Sequence, residues 1–241
     1  MCGRFSRDMT WQQVHAFSQG LDLIVPDVEP EPSYNVAPTD ASWVLAVKGD
    51  NAVAQQMRWG LLPSWAKDAR LAASMINARL ETAATKPAFR SAFKARRCLV
   101  PASGYYEWRA EHGIKQPYWI HDPGSPVLMF AGLWENWKAP GGDWVQTFTI
   151  ITRAAIDPMH ELHERTPLIL PPPVLRDWLH GSVAAAIGIA DGVEPPALAW
   201  HAVNRAVSNP RSSGPRLIEP LATGEADRFL AGSDGAGTTR Q

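Results

Sequence analysis

The sequence predicts an α+β fold: a single domain on a twisted, barrel-like, mainly antiparallel β core flanked by short helices. Three observations carry that expectation. Prolines and glycines, 21 and 18 of 241 residues, punctuate the whole chain, as in a fold with many turns. Successive strand-like runs are joined by connections too short for a crossover helix, which favours antiparallel pairing. Hydrophobic residues make up 45%, enough for a sizeable core, and no internal repeat or linker divides the chain.

Taken in order, residues 42–47 and 52–59 read as strands. Residues 71–85 and 87–96 read as helices, with Pro87 acceptable in a first turn. Strands are expected at 98–101, 104–109, 117–121, 127–134 and 144–152. A short helix at 157–162, an extended segment at 168–170, a helix at 172–179 and a strand at 199–203 follow. The domain is expected over 2–222, with 223–241 as a C-terminal tail whose small, polar end (232–241) reads as disordered.

Composition excludes several classes. No apolar run approaches the ~20 residues that span a bilayer. No basic segment followed by an apolar stretch marks a secretory signal. Cys2 and Cys98 are too few for a disulfide framework and lack zinc-site spacing. A cytoplasmic protein with free thiols is expected, and Cys98 reads as a buried strand residue. The net charge of −1 argues by itself against a nucleic-acid partner, but its distribution does not. Between Arg58 and Arg109 there are ten Lys/Arg against three Asp/Glu, leaving 13 against 21 elsewhere. Such a region can hold phosphates without a global attractive field. A solvated helix face around Lys94 to Arg97 would explain part of it. Of 11 tryptophans most lie in apolar strand-like runs, whereas Trp65 follows Pro63 and Ser64 in an expected loop. An exposed aromatic near basic residues can stack unpaired bases.

Four segments could carry chemistry. In Met1-Cys2-Gly3-Arg4-Phe5, removal of Met1 would leave Cys2 with an α-amine and a thiol on adjacent carbons. No internal residue presents that pair. The amine condenses with an aldehyde, and the thiol then closes a five-membered thiazolidine. Unperturbed values near ~8 for the amine and ~8.5 for the thiol leave both usable at neutral pH. Position alone favours an accidental cysteine near a frayed terminus, so the rest of the chain must decide. In Asn77-Ala78-Arg79-Leu80-Glu81-Thr82, Asn77 is either an N-cap or a functional amide beside a guanidinium. Glu107, between Tyr106 and Trp108, is either an outward strand residue or a desolvated acid with a raised pKa. His160-Glu161-Leu162-His163-Glu164-Arg165-Thr166-Pro167 hints at metal ligation, but it is not HExxH and nothing supplies a third ligand. No metal and no cofactor are expected.

Together these segments resemble the SRAP family, the SOS response-associated peptidases. The resemblance runs from Cys2 to about Pro215. It includes Tyr34-Asn35-Val36-Ala37-Pro38, Arg58 to Pro63, Asn77-Ala78-Arg79, Arg97 to Pro101, Gly104 to Trp108, His163 with Arg165 and Pro167, and Val207-Ser208-Asn209. Each motif is weak alone, and their order makes the match specific. The resemblance implies single-stranded DNA binding and a cross-link from the N-terminal cysteine to an abasic-site aldehyde. Cys2 then matches the cross-linking residue and Asn77 the amide against it, while Glu107 and His163 match an acid/base pair. Arg4, Arg79, Trp108 and Thr152 fall at DNA-contact positions, and Asn35 and Pro38 line the same groove. Trp65 would stack on bases, and Lys86 would stand in for a basic phosphate contact displaced by Pro87. Thr166 replaces the family's usual Met, and Trp65-Ala66 replaces a tryptophan pair found in some relatives. The implied partner is single-stranded DNA carrying abasic sites, with replication-fork or repair proteins as candidates, for a monomer away from membranes. Weak lyase activity is implied as well. The rival readings are a cysteine peptidase using Cys2 and His163 on Met1–Cys2 or on other proteins, a non-covalent single-strand-binding module using Trp65 and Trp108, and a metabolic enzyme with a small pocket.

Overall fold

A computed structural model describes residues 2–111 and 113–221, so the expected tail lies outside the described residues. Its elements run β1 (Phe5–Arg7), α1 (Trp11–Phe17), β2 (Leu23–Ile24), β3 (Ser33–Val36), β4 (Ala41–Lys48), β5 (Asn51–Trp59), β6 (Asn77–Arg79), α2 (Leu80–Ala83) and α3 (Arg90–Ala95). There follow β7 (Arg97–Ala102), β8 (Gly104–Glu111), β9 (Ile114–His121), β10 (Leu128–Lys138), β11 (Trp144–Ala154), β12 (Arg165–Pro167), α4 (Leu175–His180), α5 (Val183–Gly192) and β13 (Ala199–Ala202).

Five strands close a barrel in the order β11-β10-β7-β4-β5. Its seams are antiparallel except the last, where β5 meets β11 in parallel through Arg58 opposite Thr147 and Trp59 opposite Phe148. The period-two alternation of strands decides what lies inside. Val44, Ala46, Met57, Trp59, Val100, Phe130, Phe148 and Ile150 share one buried cluster. The intervening Leu45, Leu99, Ala131, Leu133 and Ile151 join a second cluster with residues of α1, α3, α4 and α5. Both faces of the barrel wall are thus apolar, and each large side chain buried there contributes roughly 1.5–3 kcal/mol.

A second sheet, ordered β13-β9-β8-β1-β3, packs against the barrel. Phe5, Tyr105, Tyr118 and Ile120 belong to the barrel cluster. Tyr106, one residue on, packs on the opposite face with Val203, Val207 and Leu217. The same alternation turns Glu107 to the side of Tyr105, toward the barrel, and Trp108 away from it.

Some of the basic region is structural. The buried Arg97 guanidinium donates to the carbonyls of Phe93 (2.8 Å) and Lys94 (3.4 Å) at the end of α3. It also reaches the carbonyls of Trp178 (2.5 Å) and Gly181 at the end of α4. Two helix C-termini, the negative ends of their dipoles, share one cation. Arg97→Met is expected to leave those carbonyls short of donors and to cost about 2–4 kcal/mol. Thermal denaturation would measure this, and an unchanged midpoint would refute it.

The structure corrects several expected elements. Residues 71–85 are not one helix but a 3-10 turn (Ala69–Ser74), β6 and the single turn of α2. Asn77 to Arg79 instead pair in parallel with Ile150 to Thr152 of β11. Trp59 Nε1 donating to the Ile76 carbonyl at 2.8 Å holds the approach extended. This long-range pairing outweighs local helix propensity. Asn77 is therefore a strand residue rather than a helix cap. The helix expected at 87–96 begins only at Arg90, and those at 157–162 and 172–179 are a 3-10 turn (Met159–Glu161) and a 3-10 turn leading into α4. Residues 168–170 are extended as expected and form an isolated bridge, Ile169 to Phe130. Unanticipated were β1, β2, β3, β12, α1 and α5, although α1 carried a legible signal in the Thr10/Gln13 capping box.

Candidate functional site

The site forms where the second sheet meets the barrel mouth. Phe5 pairs with Tyr105, and the Tyr106 amide donates to the Arg4 carbonyl at 3.0 Å. Continuing that antiparallel register sets Gly3 opposite Glu107 and brings Cys2 beside it. Cys2 is fully buried in the barrel cluster. From the other side, Asn77 Nδ2 donates to the Cys2 carbonyl at 2.8 Å. Three chain segments, from β8, β6 and the N-terminus, thus converge on one cysteine.

Burial governs the protonation states. It pushes the Cys2 thiol well above its ordinary range, with the Glu107 carboxylate adding to the effect. The expectation of a thiolate available at neutral pH without tuning is therefore corrected: Cys2 rests as a thiol. Burial raises Glu107 to about 7, so it is an acid held near half-ionisation at neutral pH. The outward-facing reading of Glu107 is excluded, since it is only 3% exposed.

His163 enters from the segment before β12. Its Nδ1 accepts the Arg165 backbone N–H at 2.9 Å, which places the ring proton on Nε2. Burial lowers its pKa and favours that neutral form. Arg165 anchors the segment through a bidentate pair with Glu81 (2.6 and 2.9 Å) and a 2.6 Å bond to the Thr152 carbonyl. The Arg165 pairing holds the Glu81 carboxyl below its usual range. Among the described residues no group of three or more His, Cys, Asp or Glu side chains is arranged to hold a metal ion.

A buried hydrogen bond joins this segment to the strand of Glu107. The Tyr105 hydroxyl and Thr166 Oγ1 lie 3.0 Å apart. The Thr166 departure from the family pattern thus has a structural correlate: its hydroxyl serves a phenol that is itself fully buried. Thr166→Val should strand that phenol and cost about 1–3 kcal/mol of stability, with Thr166→Ser restoring most of it. Chemical denaturation of the three proteins would decide, and equal stability of all three would refute the assignment.

The other expected site residues divide into two groups. Arg79 and Lys86 are exposed, Trp65 is 58% exposed, and Pro38 is half-buried. Arg4 and Asn35 work together: Arg4 donates to Asn35 Oδ1 (2.7 Å) and the Val207 carbonyl (2.9 Å). Asn35 Nδ2 donates in turn to the carbonyls of Asn209 and Ser212. Trp108, half-buried, donates from Nε1 to Ser208 Oγ at 3.0 Å. This network holds the 205–212 loop against the N-terminal strand beside the site. Thr152 is fully buried, and its carbonyl accepts from Arg165, so in this structure it positions that residue. Sequence reading gave no individual role to Arg165, Tyr105 or the 205–212 loop, although the motifs Gly104 to Trp108, His163 with Arg165, and Val207-Ser208-Asn209 run through all three. Cys98 is buried in the barrel, its carbonyl bonded to Trp178, as its strand reading implies.

Comparison with known proteins gives concordant matches. The family model described as SOS response associated peptidase (SRAP) matches residues 1–210. The Bacillus subtilis abasic site processing protein YoqW is 35% identical, covering 91% of this chain and 99% of its own. The Escherichia coli abasic site processing protein YedK is 33% identical, covering 92% and 100%. The Xenopus tropicalis abasic site processing protein HMCES is 32% identical, covering 79% and 67%. Among solved structures, a Bacteroides thetaiotaomicron protein superposes with a TM-score of 0.75 at 24% identity, over 92% of this chain and all of that one. A phage-related protein from Bordetella bronchiseptica gives 0.67 at 29% identity, over 85% and 95%.

Proposed function

The chain belongs to the SRAP family, and on that premise we propose that it processes abasic sites in single-stranded DNA by a covalent cross-link between N-terminal Cys2 and the ring-opened aldehyde. The observation that carries the reading is the convergence on Cys2: Asn77 on its carbonyl, and beside it a buried carboxyl with a pKa of about 7.

With Met1 removed, the Cys2 amine attacks the aldehyde carbon to give a carbinolamine. His163 Nε2–H or protonated Glu107 donates to the hydroxyl, which leaves as water and yields a protonated imine. Sulfur then adds to the imine carbon while its proton passes to the Glu107 carboxylate. The imine nitrogen becomes the ring amine, and the sequence releases one water overall. A carboxyl near pKa 7 suits both steps, since it is present in acid and base forms at neutral pH. Ring closure is intramolecular, which removes much of its entropic barrier. The resting thiol weighs against the peptidase alternative, where a nucleophilic cysteine is activated by a depressed pKa. If the imine instead loses the 3′ phosphate by β-elimination, the strand is cut, giving a weak lyase activity. In this reading Arg79, Lys86 and Arg4 contact the phosphates, which would make affinity salt-dependent.

The test is intact mass under denaturing conditions after incubation with a single-stranded oligonucleotide bearing one abasic site. The expected product weighs as much as the Met1-less protein plus the oligonucleotide less one water. Absence of adduct, with binding to intact and abasic strands equal, would favour a non-covalent single-strand-binding module instead.

A further inference from the structure

We infer that the open groove carrying Arg90 and Lys94, between α3 and the start of α5, is a track for the phosphodiester backbone of the DNA strand beyond the lesion. This inference rests on the abasic-site reading above and extends it to residues with no part in the chemistry.

The cations near this groove differ in what already engages them. Residues 82–106 hold five Lys/Arg and no Asp or Glu. Arg97 is buried and spent on the carbonyls of two helix ends. Arg96 is paired with Glu135 at 2.7 Å. Lys86, Arg90 and Lys94 are all exposed and form no ion pair among the described residues. Arg90 and Lys94 are four apart on one helix face, and they line a groove of about 520 Å³. Its remaining lining is Ala84, Ser91, Phe93 and Val183, with no carboxylate. Three cations concentrated on a chain of net charge −1 lack any overall field to explain them, and a groove free of acids suits a polyanion.

The location suits a strand that leaves the site. Asn77 touches Cys2, β6 runs on to exposed Arg79, and the single turn of α2 leads to Ala84 at the groove. That is at most about 16 Å of chain at ordinary strand and helix rise. A strand gripped by Arg79 and Lys86 would therefore enter the groove within a few nucleotides of the lesion, on one side of it.

The experiment uses full-length protein and the double variant Arg90→Gln/Lys94→Gln, which changes only exposed side chains. Affinity is measured across salt concentrations for abasic oligonucleotides extended on the 5′ side only or on the 3′ side only. On one of the two, the variant should bind roughly tenfold more weakly at low salt, and its log–log salt slope should fall by about 1.4. On the other, the two proteins should match, and at saturating DNA both should form the same amount of adduct. Equal affinity and slope on both oligonucleotides would overturn the inference, as would an equal loss on both, which would mean diffuse charge alone. Failure of the cross-linking reading is distinguishable, because the unaltered protein would then give no adduct with either strand.

Discussion

A Cys2→Ser protein is expected to lose the denaturation-stable adduct by at least ~10²-fold while still binding abasic DNA, because the stable product needs intramolecular attack by sulfur. Serine keeps a small second residue, so Met1 removal is not compromised. It also keeps the α-amine, so an imine still forms. That imine hydrolyses when the protein is denatured, but borohydride reduction would trap it as a stable amine. The expected pattern on a denaturing gel is therefore no shifted band without reductant and a shifted band with it. Equal adduct from both proteins without reductant would sink the thiazolidine. Placing one alanine between Met1 and Cys2 provides the stricter control. It leaves the thiol in the chain but separates it from the terminal amine, so adduct should vanish although the thiol remains. The fold should tolerate the insertion, because the register of the second sheet is set from Arg4 and Phe5 onward, with the Arg4 carbonyl bonded to the Tyr106 amide.

What could be read from the sequence follows the range of the interactions. The barrel strands were legible because their alternation is local: Val44 and Ala46 point one way and Leu45 the other in any register. β1 was not, since three residues have no pattern and become a strand only between β3 and β8. Asn77 shows the same limit more sharply. Its neighbours Leu80 to Ala83 are helical, and only pairing with Ile150 to Thr152 makes Asn77 to Arg79 extended. That pairing is what aims the amide at Cys2. Family resemblance supplied the residues of the site, but their protonation states had to come from burial. An unburied Cys2 and Glu107 would be a partly ionised thiol and a plain carboxylate. Enclosed between sheet and barrel, they become a thiol and an acid near neutrality, which fits the expected order in which the amine attacks first. Thr166 belongs to the same class, because its meaning depends on a phenol 61 residues away.

Glu107→Gln should slow adduct formation by ~10²–10⁴-fold and at the same time stabilise the protein above neutral pH. Both effects follow from one shift. In the unfolded chain Glu107 titrates near its ordinary value of 4.5, and burial raises it to about 7 in the fold. The protonated form therefore favours the folded state. That contribution is fully present below pH ~4.5 and is lost as pH rises through ~7, where the native state too must ionise a buried group. The loss amounts to roughly 3 kcal/mol. Glutamine has the shape of the neutral acid and never ionises. The variant should match the parent in stability at pH 4 and exceed it at pH 8. Its adduct rate should also lose the inflection near pH 7 that the parent shows, because the group that donates in imine formation and accepts in ring closure is gone. Melting curves and single-turnover adduct rates at matched pH values test the pair of claims together. A variant destabilised equally at both pH values, with a rate profile still inflected near 7, would return Glu107 to a purely structural role and leave the titrating group to be sought elsewhere. Stability sacrificed at the working pH to hold a carboxyl at the edge of ionisation is what a site for acid–base chemistry requires, and a packing residue at that position would have no reason to be charged.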